Sequence, residues 1–138
     1  MYLLDTHVVS ELRRTKPHGS VLAWIEGVPD DALCISALTL AEIQTSIQWM
    51  REQDPQKATA VEVWLNQLAC TFNVLPMDAQ VFRAWAQLMH RQSDTLYEDA
   101  MIAATAKVHE LTVVTRNVAD FKTLGVPLFN PFNVKQRL

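Results

Sequence analysis

The sequence predicts an α/β domain in which helices cover both faces of a central, mainly parallel sheet of short strands. Short apolar runs alternate along the chain with longer stretches whose apolar residues recur at helical spacing. The apolar runs lack the apolar–polar alternation of a sheet with one face in water. Because no internal repeat, linker or low-complexity segment is found, residues 1–138 are expected to form a single domain.

Five apolar runs are interpreted as the strands of this sheet. The predicted strands are 2–4, 33–35, 72–75, 111–115 and 126–129. The last run contains Pro127, which has no backbone N–H to donate and therefore indicates an edge strand. The polar tail that follows Pro131 is expected to be loosely held.

The helices are predicted from apolar spacing and from capping residues at their starts. Asp5 or Thr6, Ser20 and Asp78 each precede a helical stretch, and Asp54-Pro55 separates two others. The predicted helices are 6–12, 20–28, 39–50, a stretch that includes 61–68, 78–89 and 98–109. The last of them begins with small apolar residues, which favours close packing against the sheet.

Composition narrows the possible functions. The chain is 49% hydrophobic and 20% charged, which is typical of a globular protein. Its net charge is -3, so a contact with nucleic acid must be local or must pass through a metal ion. No run approaches the roughly 18 apolar residues of a membrane span, and no signal peptide is apparent. We therefore expect a cytoplasmic protein with Cys34 and Cys70 as buried, reduced thiols.

Acidic residues stand at the ends of the apolar segments. Asp5 follows the first predicted strand, Asp120 follows the fourth, Asp99 begins the last long helix, and Glu42 lies near the start of the 39–50 helix. In a parallel sheet covered by helices, strand ends and helix starts share one edge. We therefore expect these four carboxylates to converge at that edge.

Each acid also has a structural explanation when it is taken alone. Thr39-x-x-Glu42 fits a capping box, Asp5 fits an N-cap, and Asp99 lies in a first helical turn, where the helix dipole favours negative charge. Asp120 belongs to Asn117-x-x-Asp120, which resembles a short capped turn. A cap stabilises a helix by about 1 kcal/mol, which is reason enough for one such residue. It is the combination that favours a functional site.

Carboxylates at the boundary of the core need a counter-charge, and no Lys or Arg lies within three residues of Asp99. A site rich in oxygen ligands suits Mg²⁺ or Mn²⁺, which keep several waters and then engage substrate phosphates. Asp5 and Asp99 are the candidate metal ligands, with Glu42 and Asp120 acting directly or through water. The chemistry that fits is phosphodiester hydrolysis by a metal-activated water.

Four segments, in this order, resemble a known family. They are residues 3–12 (LLDTHVVSEL), 35–43 (ISALTLAEI), 99–106 (DAMIAATA) and 115–121 (TRNVADF). The chain resembles PIN-domain proteins, and within that superfamily the VapC/FitB-type toxins of bacterial toxin–antitoxin pairs. The resemblance implies a three-layer α/β/α PIN-like fold and a metal-dependent endoribonuclease. It further implies a homodimer that a cognate antitoxin inhibits.

The resemblance also assigns expected roles to individual residues. Three acids match the metal-site positions and a fourth is less constant in its role; they are Asp5, Glu42, Asp99 and, as the fourth, Asp120. Thr6 and Thr115 match hydroxyl positions beside the site, and Asn117 matches a polar neighbour. Arg116 is a candidate contact to RNA phosphate, although a solvated arginine fits the position about as well.

Two alternatives stay open at this point. A receiver-type signalling domain has a similar length, but it requires paired acids at Asp5 and a lysine where Thr115-Arg116 stands. A non-enzymatic interaction module on the same fold would use the acids only as helix caps. Zinc-ligand spacing, nucleophile-elbow motifs and phosphate-binding glycine loops are not present in the sequence.

Two further features near the first helix are interpreted conservatively. His7 is close to the expected site but is interpreted as a capping or packing residue. Arg13, Arg14 and Lys16 form a small basic cluster, for which a solvated face is the simpler interpretation and contact with RNA the alternative.

Overall fold

The computed structural model describes residues 1–133 and contains a five-stranded sheet in which every neighbouring pair is parallel. The strands are β1 (Tyr2–Leu4), β2 (Leu33–Ser36), β3 (Asn73–Leu75), β4 (Thr112–Val114) and β5 (Leu128–Phe129). All five predicted strands are therefore confirmed, with ends that differ by one or two residues. β5 lies at one edge of the sheet, as Pro127 indicates.

Helices of very different length connect these strands. They are α1 (Thr6–Glu11), α2 (Gly19–Glu26), α3 (Ala37–Gln53), α4 (Pro55–Thr71), α5 (Ala79–Met89), α6 (Tyr97–His109) and α7 (Val118–Lys122). Short 3-10 turns cover 30–32, 94–96 and 131–133. Within the described part of the chain, every helix is too short or too polar to cross a membrane.

The order of the strands determines where a site can form. The sheet runs β3-β2-β1-β4-β5, so the chain leaves the central strand β1 in both directions. A receiver-type domain has the order 2-1-3-4-5, so that alternative is wrong. The change of direction lies between β1 and β4, and ligands of open α/β sheets bind outside the carboxyl ends of the strands at such a point.

The sheet has a hydrophobic layer on each face, which confirms the three-layer arrangement. Leu4 and Ile35 face a cluster that includes residues of α1, α2, α3 and α4. Leu3 and Val113 face the other cluster, to which α6 and α7 contribute. Neighbouring residues of one strand are thus buried on opposite faces, which explains why the strands are apolar throughout.

Small side chains bring α6 close to the sheet. Ala100, Ala103 and Ala106 have no exposed surface and pack in the same cluster as Leu3 and Val113. The expected close packing of this helix is therefore confirmed. Its first turn, which carries Glu98 and Asp99, consequently lies near the strand ends.

Three local predictions are corrected. Ser20 does not cap α2, because the helix begins at Gly19 and its N-cap position, His18, makes no side-chain capping bond. Cys34 is a buried free thiol as expected, whereas Cys70 is exposed. The tail after Pro131 is not loose at its start, because 131–133 form a 3-10 turn and Phe132 packs partly buried against the core; residues 134–138 lie outside the described residues.

Helix α3 offers a test of this core. Ile47 is fully buried, whereas Trp49 on the same helix is 69% exposed. We expect Ile47→Ala to lower the free energy of unfolding by about 2–5 kcal/mol, because it leaves a cavity among α3, α4 and the sheet. Trp49→Ala is the matched control and should change it by less than about 0.5 kcal/mol. Urea denaturation measures both, and equal losses would contradict this packing.

Candidate functional site

Asp5 lies at the junction of the central strand and the first helix. It directly follows β1 and serves as the N-cap of α1, where its Oδ1 accepts a hydrogen bond from Thr6 N at 2.8 Å. Its backbone N donates to Val114 O at 2.9 Å, which continues the pairing with β4. Its Oδ2 accepts from Thr115 Oγ1 at 2.9 Å. Both carboxylate oxygens are therefore held at the carboxyl ends of β1 and β4.

Burial dominates the electrostatics of Asp5. The residue is only 4% exposed, and this burial raises the pKa of its carboxyl group above the ordinary value. The hydroxyl of Thr115, the positive charge of His7 and the backbone N–H of Thr6 partly offset the rise. The ion pairs found in residues 1–133 join Arg14 to Glu11 and Arg51 to Glu62, so none of them neutralises Asp5.

A chain of hydroxyl groups connects the start of α1 to α3. Thr6 Oγ1 lies 2.9 Å from Glu42 Oε1, to which it donates, and 3.0 Å from Thr39 Oγ1. Thr39 is fully buried. Burial raises the pKa of Glu42; the bond from Thr6 offsets part of the rise, and the negative charges of Glu98 and Asp5 add to it. Glu42 is therefore oriented toward the same edge as Asp5.

The predicted capping box at Thr39 and Glu42 is wrong. Helix α3 begins at Ala37, and its cap is Ser36, whose Oγ accepts from Leu38 N at 3.1 Å. Glu42 lies more than one turn inside the helix and does not reach a free backbone N–H. Its side chain bonds to Thr6 instead, so capping does not explain this carboxylate.

Asp99 shows the strongest effect of neighbouring acids. Burial, followed by the negative charges of Asp5 and Asp120, raises the pKa of Asp99 to about 6. The charge of Glu98 contributes further, and the positive charge of His7 acts in the opposite direction. Asp99 is therefore close enough to both Asp5 and Asp120 to be repelled by each of them.

The four predicted acids share one edge but are not gathered into a finished ligand set. Within residues 1–133, no three His, Cys, Asp or Glu side chains stand close enough together to hold a metal ion as they are. The carboxylates raise the pKa of Glu42 and Asp99 by electrostatic repulsion over longer distances, not by direct contact. The structure thus shows concentrated negative charge rather than preassembled coordination.

The loop after β4 supports Asp5 from the other side. Thr115 is fully buried, and its Oγ1 accepts from Asn117 N at 3.0 Å while it donates to Asp5. Asn117 holds the N-cap position of α7 but makes no side-chain capping bond, and Asp120 lies in the first turn of that helix. The expected capped turn is therefore a short helix. Arg116 is exposed, and its guanidinium carbon lies 4.5 Å from the centre of the Phe132 ring.

Sequence reasoning missed two charged residues of this region and misplaced the cap of α3. His7 is exposed rather than capping or packed, and its positive charge lowers the pKa of Asp5, Glu42 and Asp99. Its position two residues after Asp5 is the feature of the sequence that could have indicated this effect. Glu98 raises the pKa of Glu42 and Asp99, which its place beside Asp99 already suggested.

Comparison with known proteins gives the same family throughout. Residues 2–126 match the PIN domain. The toxin FitB of Neisseria gonorrhoeae is 32% identical over 140 residues, which covers 96% of this chain and 99% of FitB. The VapC ribonuclease Y4jK of Sinorhizobium fredii is 34% identical over 143 residues, which covers 96% of this chain and 98% of that protein.

Solved structures agree in both sequence and fold. The crystal structure of FitAcB from Neisseria gonorrhoeae superposes with a TM-score of 0.87 at 33% identity, covering 97% of this chain and all of the matched one. The structure of FitAB bound to the IR36 DNA fragment gives 0.85 at 30% identity, with both chains fully covered. With its five-stranded parallel sheet and acidic edge, the chain belongs to the PIN-domain family, among its FitB- and VapC-type members.

Proposed function

We propose that this protein is a metal-dependent endoribonuclease that acts as the toxin of a type II toxin–antitoxin pair. One observation carries the proposal, namely the unneutralised negative charge where β1 and β4 end. Asp5 is buried there without an ion pair among residues 1–133, and the pKa of Asp99 is raised to about 6. The FitB and VapC relatives, which align over nearly their whole length, support the toxin and ribonuclease parts.

The donor groups at this edge fit Mg²⁺ or Mn²⁺. Carboxylate oxygens are the ligands that these ions prefer, and carboxyl groups whose pKa is raised by like charges gain from a cation within reach. We assign direct contacts to Asp5 and Asp99, and direct or water-mediated contacts to Glu42 and Asp120. Since no three ligands in residues 1–133 are already gathered, water and substrate oxygens are proposed to complete the coordination.

The remaining polar residues are proposed to hold the carboxylates in place. A bound Mg²⁺ or Mn²⁺ supplies Lewis acidity toward the phosphate and lowers the pKa of its water. Thr115 and the backbone of Thr6 fix the two oxygens of Asp5, and the Thr6 hydroxyl orients Glu42. Asn117 holds Thr115 through its backbone N–H. These hydrogen bonds favour the ionised carboxylates that a cation requires.

The proposal includes two protein partners. One is a cognate antitoxin, since solved relatives include FitAcB and the DNA-bound FitAB. We propose that an arginine of this partner pairs with the carboxylates and displaces the ion, because a guanidinium binds a carboxylate in a bidentate manner. The other partner is a second copy of this chain in a homodimer.

The alternative of a non-enzymatic module requires the acids to be helix caps and nothing more. Asp5 does cap α1. Glu42, however, bonds to Thr6, and the N-cap position of α6 is Leu96, which makes no side-chain capping bond. Capping thus explains one of the four acids. The nuclease proposal accounts for the negative charge that the other three bring to the same edge.

Replacing Asp99 by asparagine tests the nuclease proposal directly. Asp99→Asn keeps the shape of the side chain but removes the charge that a divalent cation would meet. We expect Mn²⁺-dependent cleavage of single-stranded RNA to fall by at least about 100-fold, the loss typical of a group that stabilises charge in the transition state. Single-turnover cleavage of a labelled RNA measures the rate.

Asp94→Asn is the matched control, because Asp94 is exposed in the 3-10 turn before α6 and undergoes the same loss of charge. Cleavage by this variant should stay within about twofold of the parent rate. Full activity in Asp99→Asn would exclude Asp99 as a ligand.

The raised pKa of Asp99 predicts a pH-dependent stability in metal-free buffer. Its pKa is about 6 in the folded chain and 3.8 ordinarily, so the folded state keeps the proton longer than the unfolded state does. Stability is therefore lost as the pH rises from about 4 to about 6. An asparagine side chain cannot ionise, so Asp99→Asn should raise the melting temperature by a few degrees at about pH 7 but not at about pH 4. Melts in EDTA measure this, and an equal difference at both pH values would refute it.

A further inference from the structure

A cleft lies directly beside the acidic edge, between α1 and the loop after β4. Its volume is about 490 Å³, and its lining includes His7, Ser10, Arg13, Arg14, Arg116 and Phe132. This volume falls within the roughly 300–1,000 Å³ of ligand sites in proteins. We call this site the basic cleft.

Most of the Arg and Glu side chains in the basic cleft are positive, and two of them form no ion pair among residues 1–133. Arg13 and Arg116 have no carboxylate partner among residues 1–133, and Arg14 has one, Glu11, at 3.3 Å. Glu11 is the acid of the lining, and both of its oxygens are engaged: Oε2 by Arg14 and Oε1 by His18 N at 2.8 Å. The cleft therefore offers at least two guanidinium groups to an anion.

Packing restrains one of these guanidinium groups. Arg116 lies over the ring of Phe132, which in turn meets the ring of His18 edge-on at a centroid distance of 5.0 Å. His18 N is the donor to Glu11, so aromatic contacts and hydrogen bonds run from Arg116 around the cleft to α1. A stacked arginine loses less freedom when it binds an anion, which favours binding.

The positive surface continues beyond this cleft. A second cleft shares Arg13 and Arg14 and adds Lys16 and Lys57 to its lining. Together with Arg116, five of the 12 Lys and Arg residues of a chain with net charge -3 thus line two adjoining clefts. Such local concentration is the footprint expected of contact with a polyanion.

The basic cleft is also connected to the acidic edge. His7 stands two residues after Asp5, and Asn117, which lines the cleft, donates its backbone N–H to Thr115, the hydrogen-bond partner of Asp5. A strand whose phosphodiester lies at the carboxylates would be repelled by their field. The arginine side chains of the basic cleft, which lie beside these carboxylates, would bind the neighbouring phosphates of that strand.

We propose that the basic cleft binds the phosphates of single-stranded RNA next to the cleaved bond, with Arg13 and Arg116 as the principal contacts and Lys16 and Lys57 farther along. The inference rests on the proposed nuclease function, because it takes the acidic edge as the position of the cleaved bond. RNA is favoured over an acidic segment of a protein partner because the two clefts share Arg13 and Arg14, which places a series of cations beside that edge.

Equilibrium binding without divalent ions tests the inference. The probe is a short fluorescein-labelled single-stranded RNA, measured by anisotropy with the full chain in EDTA at about 50 and 200 mM salt. We expect Arg13→Ala/Arg116→Ala to bind at least about tenfold more weakly at the lower salt concentration. The slope of log K against log salt should fall in magnitude by about 1.4, at roughly 0.7 per lost phosphate contact.

The matched control is Arg83→Ala/Lys107→Ala. These residues line a separate cavity with Gln80 and Gln87, and their loss changes the net charge by the same amount. The affinity of this control should change by less than about twofold. Arg13→Glu provides a second variant that leaves Arg116 and Phe132 packed, and it should also weaken binding.

Each outcome decides the matter. Equal weakening of the two double variants would overturn the inference, since it would show attraction by diffuse charge alone. Unchanged RNA affinity in both Arg13→Ala/Arg116→Ala and Arg13→Glu would also overturn the inference. If these variants lost only the binding of a protein partner, the cleft would be a protein-binding site and the inference would be overturned as well. If the protein binds RNA through the basic cleft but does not cleave it in the presence of Mn²⁺, only the nuclease proposal is refuted. If the protein cleaves RNA and the cleft variants bind it with unchanged affinity, only the proposed role of the basic cleft is refuted.

Discussion

A carboxylate buried at the end of the central strand is the constraint on which the rest of this structure depends. Asp5 follows β1, is 4% exposed and has no ion pair among residues 1–133. A buried charge without compensation is costly, so its surroundings supply hydrogen bonds from Thr6 and Thr115. These two donors follow β1 and β4, which are neighbours in the sheet. We propose that a cation completes the compensation.

Helix α1 joins two regions of opposite charge. Its first residues follow Asp5 and carry Thr6, which orients Glu42, while its last turn leads into Arg13 and Arg14 of the basic cleft. An acidic edge and an adjacent basic path explain how a chain with net charge -3 can engage an anionic strand. On this account the carboxylates hold the ion and the arginines hold the strand.

Sequence reasoning succeeded where a residue type marks a boundary in the fold. Asp5 and Asp99 stand where apolar segments begin or end, so their placement at one edge followed from the parallel sheet. It failed at Thr39 and Glu42, because Ser36 and Thr39 are both residue types that cap helices; in the structure Ser36 is the cap and Thr39 contacts Thr6 instead. This contact depends on the packing of α1 against α3, which no local pattern in the sequence indicates. The stacking of Arg116 on Phe132 joins different loops and was likewise not predictable. The catalytic roles of the acids stay predictions.

Diffraction from crystals grown with Mn²⁺, recorded where manganese scatters anomalously, tests the central claim most directly. The account predicts an anomalous peak in contact with the carboxylates of Asp5 and Asp99, and its loss in Asp99→Asn. A fully active preparation that shows no peak at this edge under saturating Mn²⁺, or a peak bound elsewhere, would contradict it.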